Sequence, residues 1–149
     1  MADNAMAGPF VQIAAICATP LVEQQGLLSI IRIQDRIHLV GPTPTMQPQP
    51  LMNFWLVIVI KSGDITGKFT LQIVPITPSG RRLDPATAPV LLEGQERGAM
   101  ISAPLGIVAE EEGLYWFEIT LDGVPLTRIP LRVLYQQLAP GMAFPPNLG

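Results

Sequence analysis

Apolar and polar residues alternate through LLSIIRIQDRIHLV, residues 27–40, with Ile31, Ile33, Ile37 and Leu39 on one side and Arg32, Gln34, Arg36 and His38 on the other. A period of two is that of a β-strand with one buried face, so the Ile/Leu side is expected inward. Asp35 interrupts that side; it is expected to pair with a neighbouring Arg, cap a bulge or end a shorter strand. GKFTLQIV (67–74) repeats the pattern, with Phe69, Leu71 and Ile73 inward and Lys68, Thr70 and Gln72 outward. PFVQIAAICA (9–18), VLLE (90–93) and AMISAPLGIVA (99–109) read as further strands, and Pro104 gives the last an edge position or a bulge. SGD, GQERG and TPSGRRLDPATAP (77–89) read as turns or loops between them. GPTPTMQPQP (41–50) is too rich in proline to pair and is expected to be an irregular connection. No segment has a helical period. The pattern predicts one all-β sandwich of seven or eight short strands over residues 9–135, between a flexible N-terminus (1–8) and a proline-rich tail (136–149). In that tail, Met142 and Phe144 would either dock or stay loose.

EEEGLYWFEITLDGVPLTRIPLRVLY (110–135) is a strand, a turn and a second strand. DG invites a two-residue hairpin turn, but an even loop would put Arg128 on the inward face with Phe117 and Ile119. An odd loop instead aligns Ile129, Leu131 and Val133 with Tyr115, Phe117 and Ile119. Burying a charge costs several kcal/mol and turn preference about one, so a three-residue loop with left-handed Gly123 is expected. In EEGLYWF, the order Glu111, Gly113, Tyr115, Phe117 resembles the immunoglobulin-like pattern at the start of strand F, with Phe117 where antibody domains carry Cys. The resemblance implies an immunoglobulin-like sandwich whose Tyr115 hydroxyl bonds nearby backbone and whose Trp55 packs in the core. LLSIIRIQDRI, IKSGD, EEGLYWFEITLDG and LTRIPLRV together resemble a family of small bacterial proteins of unknown function, over roughly residues 10–135. That resemblance implies no catalytic residue, ligand or partner.

Composition narrows the function classes. The chain has 149 residues, 14% of them charged, and a formal net charge of -3, so it offers no basic field for nucleic acid. Cys17 is the sole cysteine, which implies no intrachain disulfide; with no positively charged segment before FVQIAAICATPLV, a cytoplasmic location is expected. LMNFWLVIVI is too short to span a bilayer as a helix. The single His38 and Cys17 fall on separate strands without a third group to orient them, so no enzyme chemistry is expected. The acidic run Glu110–Glu112 has only Asp64 and Asp122 in other loops to converge with, which is too few for calcium. Neither a metal nor a cofactor is expected.

Two surfaces carry what candidate chemistry remains. NFWLVIVIK (53–61) is apolar on both faces, one more than an isolated sandwich can bury. Taking Trp55, Val57 and Val59 inward leaves Phe54, Leu56, Ile58 and Ile60 outward, and the opposite choice leaves the same surplus. Phe54, Leu56, Ile58 and Trp116 are the resulting candidate interface, for a homo-oligomer (a dimer first) or another protein. Trp116, Arg128 and Arg132, expected outward together, are the candidate surface for an anion or small molecule. Arg32, Arg36 and His38 form a similar stripe. The expected function is a non-catalytic interaction or structural module, with a small-molecule or anion-binding accessory role as the alternative.

Overall fold

The computed structural model describes residues 7–139, so residues 1–6 and most of the expected tail, with Met142 and Phe144, lie outside the described residues. Every element among them is a strand: β1 (Phe10–Val22), β2 (Leu28–Gln34), β3 (Arg36–Gly41), β4 (Gln49–Pro50), β5 (Trp55–Ile76), β6 (Ala86–Pro104), β7 (Val108–Ala109), β8 (Gly113–Leu121) and β9 (Val124–Gln137). Seven of them form one sheet, in the order β2-β1-β5-β8-β9-β3 with β6 beside β5. The first half of β5 lies between β1 and the end of β6, and the second half between the start of β6 and β8. The sheet therefore doubles over into two layers, β2-β1-β5-β6 and β6-β5-β8-β9-β3. Leu56, Ile58 and Ile60 of the first layer share one core with Leu71, Phe117 and Leu131 of the second. The fold is an all-β, immunoglobulin-like sandwich, antiparallel except where β3 runs parallel to β9.

The layers are joined by a bent ribbon where the sequence suggested two reversals. SGD and GQERG lie opposite one another, Gly63 against Gln95, as kinks within strands of 22 and 19 residues. Left-handed backbone at Gly63 (φ 60), Gly94 (φ 94) and Gln95 (φ 56) serves a bulge as well as a turn, so residue types alone could not separate the two. The corner is stitched by Ser62, wholly buried, whose hydroxyl donates to the Arg97 carbonyl at 2.6 Å. At Gly98 the strands come so close that a Cβ would collide with the Ile60 carbonyl oxygen. As Pro104 and Pro89 require, β6 is an edge: it pairs with β5 alone.

The β8–β9 hairpin keeps the expected faces by a different device. Tyr115, Phe117 and Ile119 are buried with Ile129, Leu131 and Val133, while Arg128 and Arg132 are outside. The loop, however, has two residues, Asp122 and Gly123, both left-handed (φ 46 and 82), as in a type I′ turn. Parity is corrected beyond it, where the register shifts between Ile119 and Thr120 and Leu126 becomes the extra residue. Asp122 also clips the turn to β5: its carboxylate accepts from the Thr70 N–H at 2.7 Å, and its own N–H donates to the Thr70 carbonyl at 3.0 Å.

The pattern from Leu28 to Val40 is two strands in two layers. β2 pairs with β1, β3 pairs with β9, and the chain crosses between layers at Asp35, whose carboxylate meets Arg36 at 3.3 Å. Ile37 is buried and Leu39 packs on the core as expected, but Ile31 and Ile33 are 40% and 67% exposed. Each strand answers to its own layer. The β1 register sets Gln34 opposite inward Ile16 and Ile33 opposite outward Cys17, which turns the apolar side of β2 to solvent.

Candidate functional site

The surplus apolar face is present, but the structure divides β5 the other way from the expected interface. Leu56 and Ile58 are core residues and cannot meet a partner, Phe54 is half-buried against the core, and Trp116 lies in the other layer. Trp55, Val57 and Val59 point outward. Leu56, Ile58 and Ile60 pack in the core, with Ile101 and Ala99 of β6 against it. Cross-strand partners then continue the outer face: Cys17 beside Trp55 with Ile33 beyond it, Ala15 and Ser102 beside Val57, and Ile13 and Met100 beside Val59. Among these cross-strand neighbours there is no charged side chain; Lys61 stands at one end, next to Phe10.

Burial within this face is graded. Val57 and Cys17 are fully covered and Ala15 nearly so, whereas Ile13, Ile31, Ile33 and Met100 are more than a third exposed. With strands about 4.8 Å apart and residues about 3.4 Å apart, the face measures roughly 20 Å each way. That matches the largest apolar patch of an ordinary monomer and is about half of what each side of a standard interface contributes. Burial pushes the Cys17 thiol up from its ordinary value, away from the thiolate. His38 lies on β3 opposite Leu134, on an exposed site in the other layer, and the two do not form a pair.

The other layer's outer face is polar. Arg128 lies over the Trp116 ring, 4.4 Å from its centroid, because the Glu118 carboxylate opposite is taken by Arg82 at 2.7 Å. Trp116 faces Pro130 across the hairpin, and Arg132 stands one pair further on, opposite Leu114. The structure thus brings Trp116 and Arg128 into direct contact and leaves Arg132 beyond them. The stack already occupies both the ring face and the guanidinium plane that a ligand would use.

The acidic run has internal partners. Glu110 pairs with Arg81 at 2.9 Å, Glu111 accepts from the Ser79 N–H at 2.9 Å, and Glu112 accepts from the Tyr135 N–H at 3.2 Å. The Ser79 hydrogen bonds hold the Glu111 carboxyl below its ordinary pKa. The backbone of the same run receives the Tyr115 hydroxyl, which donates to the Glu111 carbonyl at 2.7 Å. The triple-aromatic stretch therefore divides its labour: Tyr115 and Phe117 fill the core, and Trp116 faces out.

DUF6941, a family of unknown function, matches residues 12–134. The chain belongs to that family. The match spans the strands from β1 into β9, so the bent ribbon and the outer apolar face are parts of the family domain. No curated protein matches in sequence. Among solved structures, sixteen chains match. One is the CARDB domain of the PF1109 protein from Pyrococcus furiosus in complex with di-metal ions, at 11% identity and a TM-score of 0.39, covering 87% of this chain and 98% of that one. No described helix is long and apolar enough to cross a membrane.

Proposed function

We propose that this DUF6941 domain is a non-catalytic interaction module that self-associates through the outer face of its first layer. The observation carrying the reading is the uncharged surface built from Ile13, Ile33, Trp55 and Met100 on four adjacent strands, over the covered Cys17 and Val57. A sheet face left to water is mostly polar, whereas here Ser102 and Thr19 are the polar interruptions of an apolar set. A second copy is the favoured occupant because the surface carries no charge, its polar positions being Ser102 beside Val57 and Thr19 beside Ile31: two identical faces complement each other without any charge to match. Face-to-face packing is favoured over joining β2 edges, since left-handed Arg32 (φ 61) disrupts the line of free backbone groups along β2. The patch is small, so association is expected to be weak and concentration-dependent. A free, buried Cys17 suits a reducing, cytoplasmic setting.

The test is to record backbone amide NMR spectra over a concentration series. Shifts confined to Ile13, Ala15, Cys17, Ile31, Ile33 and Met100 support the reading. Shifts confined to Trp116, Arg128 and Arg132, or none at all, overturn it.

A further inference from the structure

We infer that the cleft between the layers at the β2–β3 crossover binds a small monocarboxylate with an apolar body. The β1 register that exposes Ile31 and Ile33 puts Arg32 and Gln34 on the other face of β2, where exposed Arg32 and half-buried Gln34 line a cleft of about 660 Å³. Ligand cavities typically fall between about 300 and 1,000 Å³. Ile37, Leu39, Leu51 and Phe54 supply an apolar wall, while His38 and Asn53 join Arg32 and Gln34 as polar groups. No carboxylate lines the cleft, although the chain is acidic overall. Arg32 has no ion-pair partner among the described residues. A single guanidinium beside the amides of Gln34 and Asn53 suits a single negative charge, whereas a phosphate dianion calls for more than one Arg or Lys.

Backbone geometry points to the same place. Arg32 (φ 61) and Asn53 (φ 65) are two of the four described non-glycine residues with left-handed backbone, and both line this cleft, one from β2 and the other from the segment between β4 and β5. Such conformations persist only where surrounding structure imposes them, and they concentrate at binding sites. The opposite wall is held in place: the Tyr135 hydroxyl donates to the Thr43 carbonyl at 2.6 Å, Gln137 to Pro42 at 3.1 Å, and Gln49 to Val40 at 3.2 Å. The apolar body would lie along Leu51 and Phe54, with its carboxylate on Arg32.

Octanoate is the probe, titrated by calorimetry against the whole chain, with octanol as the uncharged analogue and inorganic phosphate as the bare anion. Saturable octanoate binding with a Kd on the order of a millimolar or tighter is expected. Octanol should bind at least about tenfold more weakly, the loss of one charge-assisted contact, and phosphate not measurably. Arg32→Gln should cost a similar factor without lowering the melting temperature, and Arg128→Gln should change nothing. Met52→Glu, at a 67% exposed position on the rim, should also weaken octanoate by adding a like charge. No saturable octanoate binding, phosphate binding as tight as octanoate, or binding indifferent to both Arg32→Gln and Met52→Glu would overturn the inference.

Discussion

Replacing Tyr115 by Phe isolates one hydroxyl at the point where the aromatic stretch meets the acidic turn. Tyr115 is fully buried, and Phe retains the ring; what is lost is the hydroxyl, which donates to the Glu111 carbonyl at 2.7 Å and accepts a long bond from the Glu111 N–H at 3.4 Å. A net hydrogen bond contributes about 1 kcal/mol, and a buried carbonyl left without its partner costs about 1–3 kcal/mol. The Glu111 backbone sits at the layer's edge, where water can partly replace the hydroxyl, so a loss of about 1–2 kcal/mol is expected. For a domain of this size that lowers the melting temperature by about 3–6 °C. The urea midpoint should fall with an unchanged slope, since the surface exposed on unfolding is the same. A pH dependence accompanies it. Burial raises the Tyr115 phenol above its ordinary value of 10.0. The folded state therefore holds its proton where the unfolded state releases it, so this contribution is complete below pH 10.0 and is lost as pH rises through the folded pKa. Wild type should lose stability faster than Tyr115→Phe above that pH, and the gap between them should narrow. Equal midpoints at neutral pH, or parallel curves through the alkaline range, would refute the role assigned to the hydroxyl.

Other perturbations separate the devices that shape the sheet. Gly98→Ala must drive a methyl into the Ile60 carbonyl and should cost more than about 3 kcal/mol, whereas Gly123→Ala meets no atom and should cost only the left-handed penalty of about 1 kcal/mol; equal losses in urea denaturation would contradict the bent-ribbon account. Arg128→Ala should shift Trp116 fluorescence while lowering stability by under about 1 kcal/mol, and an unchanged spectrum would mean that the stack does not exist in solution. Because the Ser79 hydrogen bonds depress the Glu111 pKa, that contact should hold above pH 4.5 and be lost as pH falls through the depressed value. The Ser79 amide shift should therefore titrate with a midpoint below 4.5, and Glu111→Gln should abolish the titration; a midpoint above 4.5 would contradict the assignment.

The strand periodicity made the sandwich legible, and the apolar set of β8 and β9 identified the inward faces of that hairpin correctly. Loop parity was the wrong place to seek the correction, since a bulge at Leu126 shifts the register as well as an odd turn does and leaves Asp122-Gly123 its preferred geometry. SGD and GQERG misled for a related reason: glycine-rich sequence signals left-handed backbone, not chain reversal. For NFWLVIVIK the surplus face was legible but its membership was not. A strand apolar on both sides gives no alternation to read, and its orientation is set by Ile16, Ile101 and other distant partners. Ile31 and Ile33 are the sharpest case. Their alternation is continuous with Ile37 and Leu39 in sequence, yet Asp35 divides it between two layers, and only β1 register determines which side of β2 faces water. Both the apolar outer face and the Arg32 cleft follow from that inversion.

The most direct measurement is the solution mass of the wild-type chain, by light scattering after size exclusion over a wide concentration range, beside Ile33→Asp. Ile33 is 67% exposed, so the substitution is expected to leave the fold intact. Burying that side chain contributes about 1–2 kcal/mol per copy, counted twice across a two-fold axis, so the dimer should weaken at least about thirtyfold. The account predicts a mass rising from monomer towards dimer with concentration in the wild type, and a monomer throughout for Ile33→Asp. A wild type that stays monomeric at every concentration, or a dimer that survives Ile33→Asp unchanged, would contradict it.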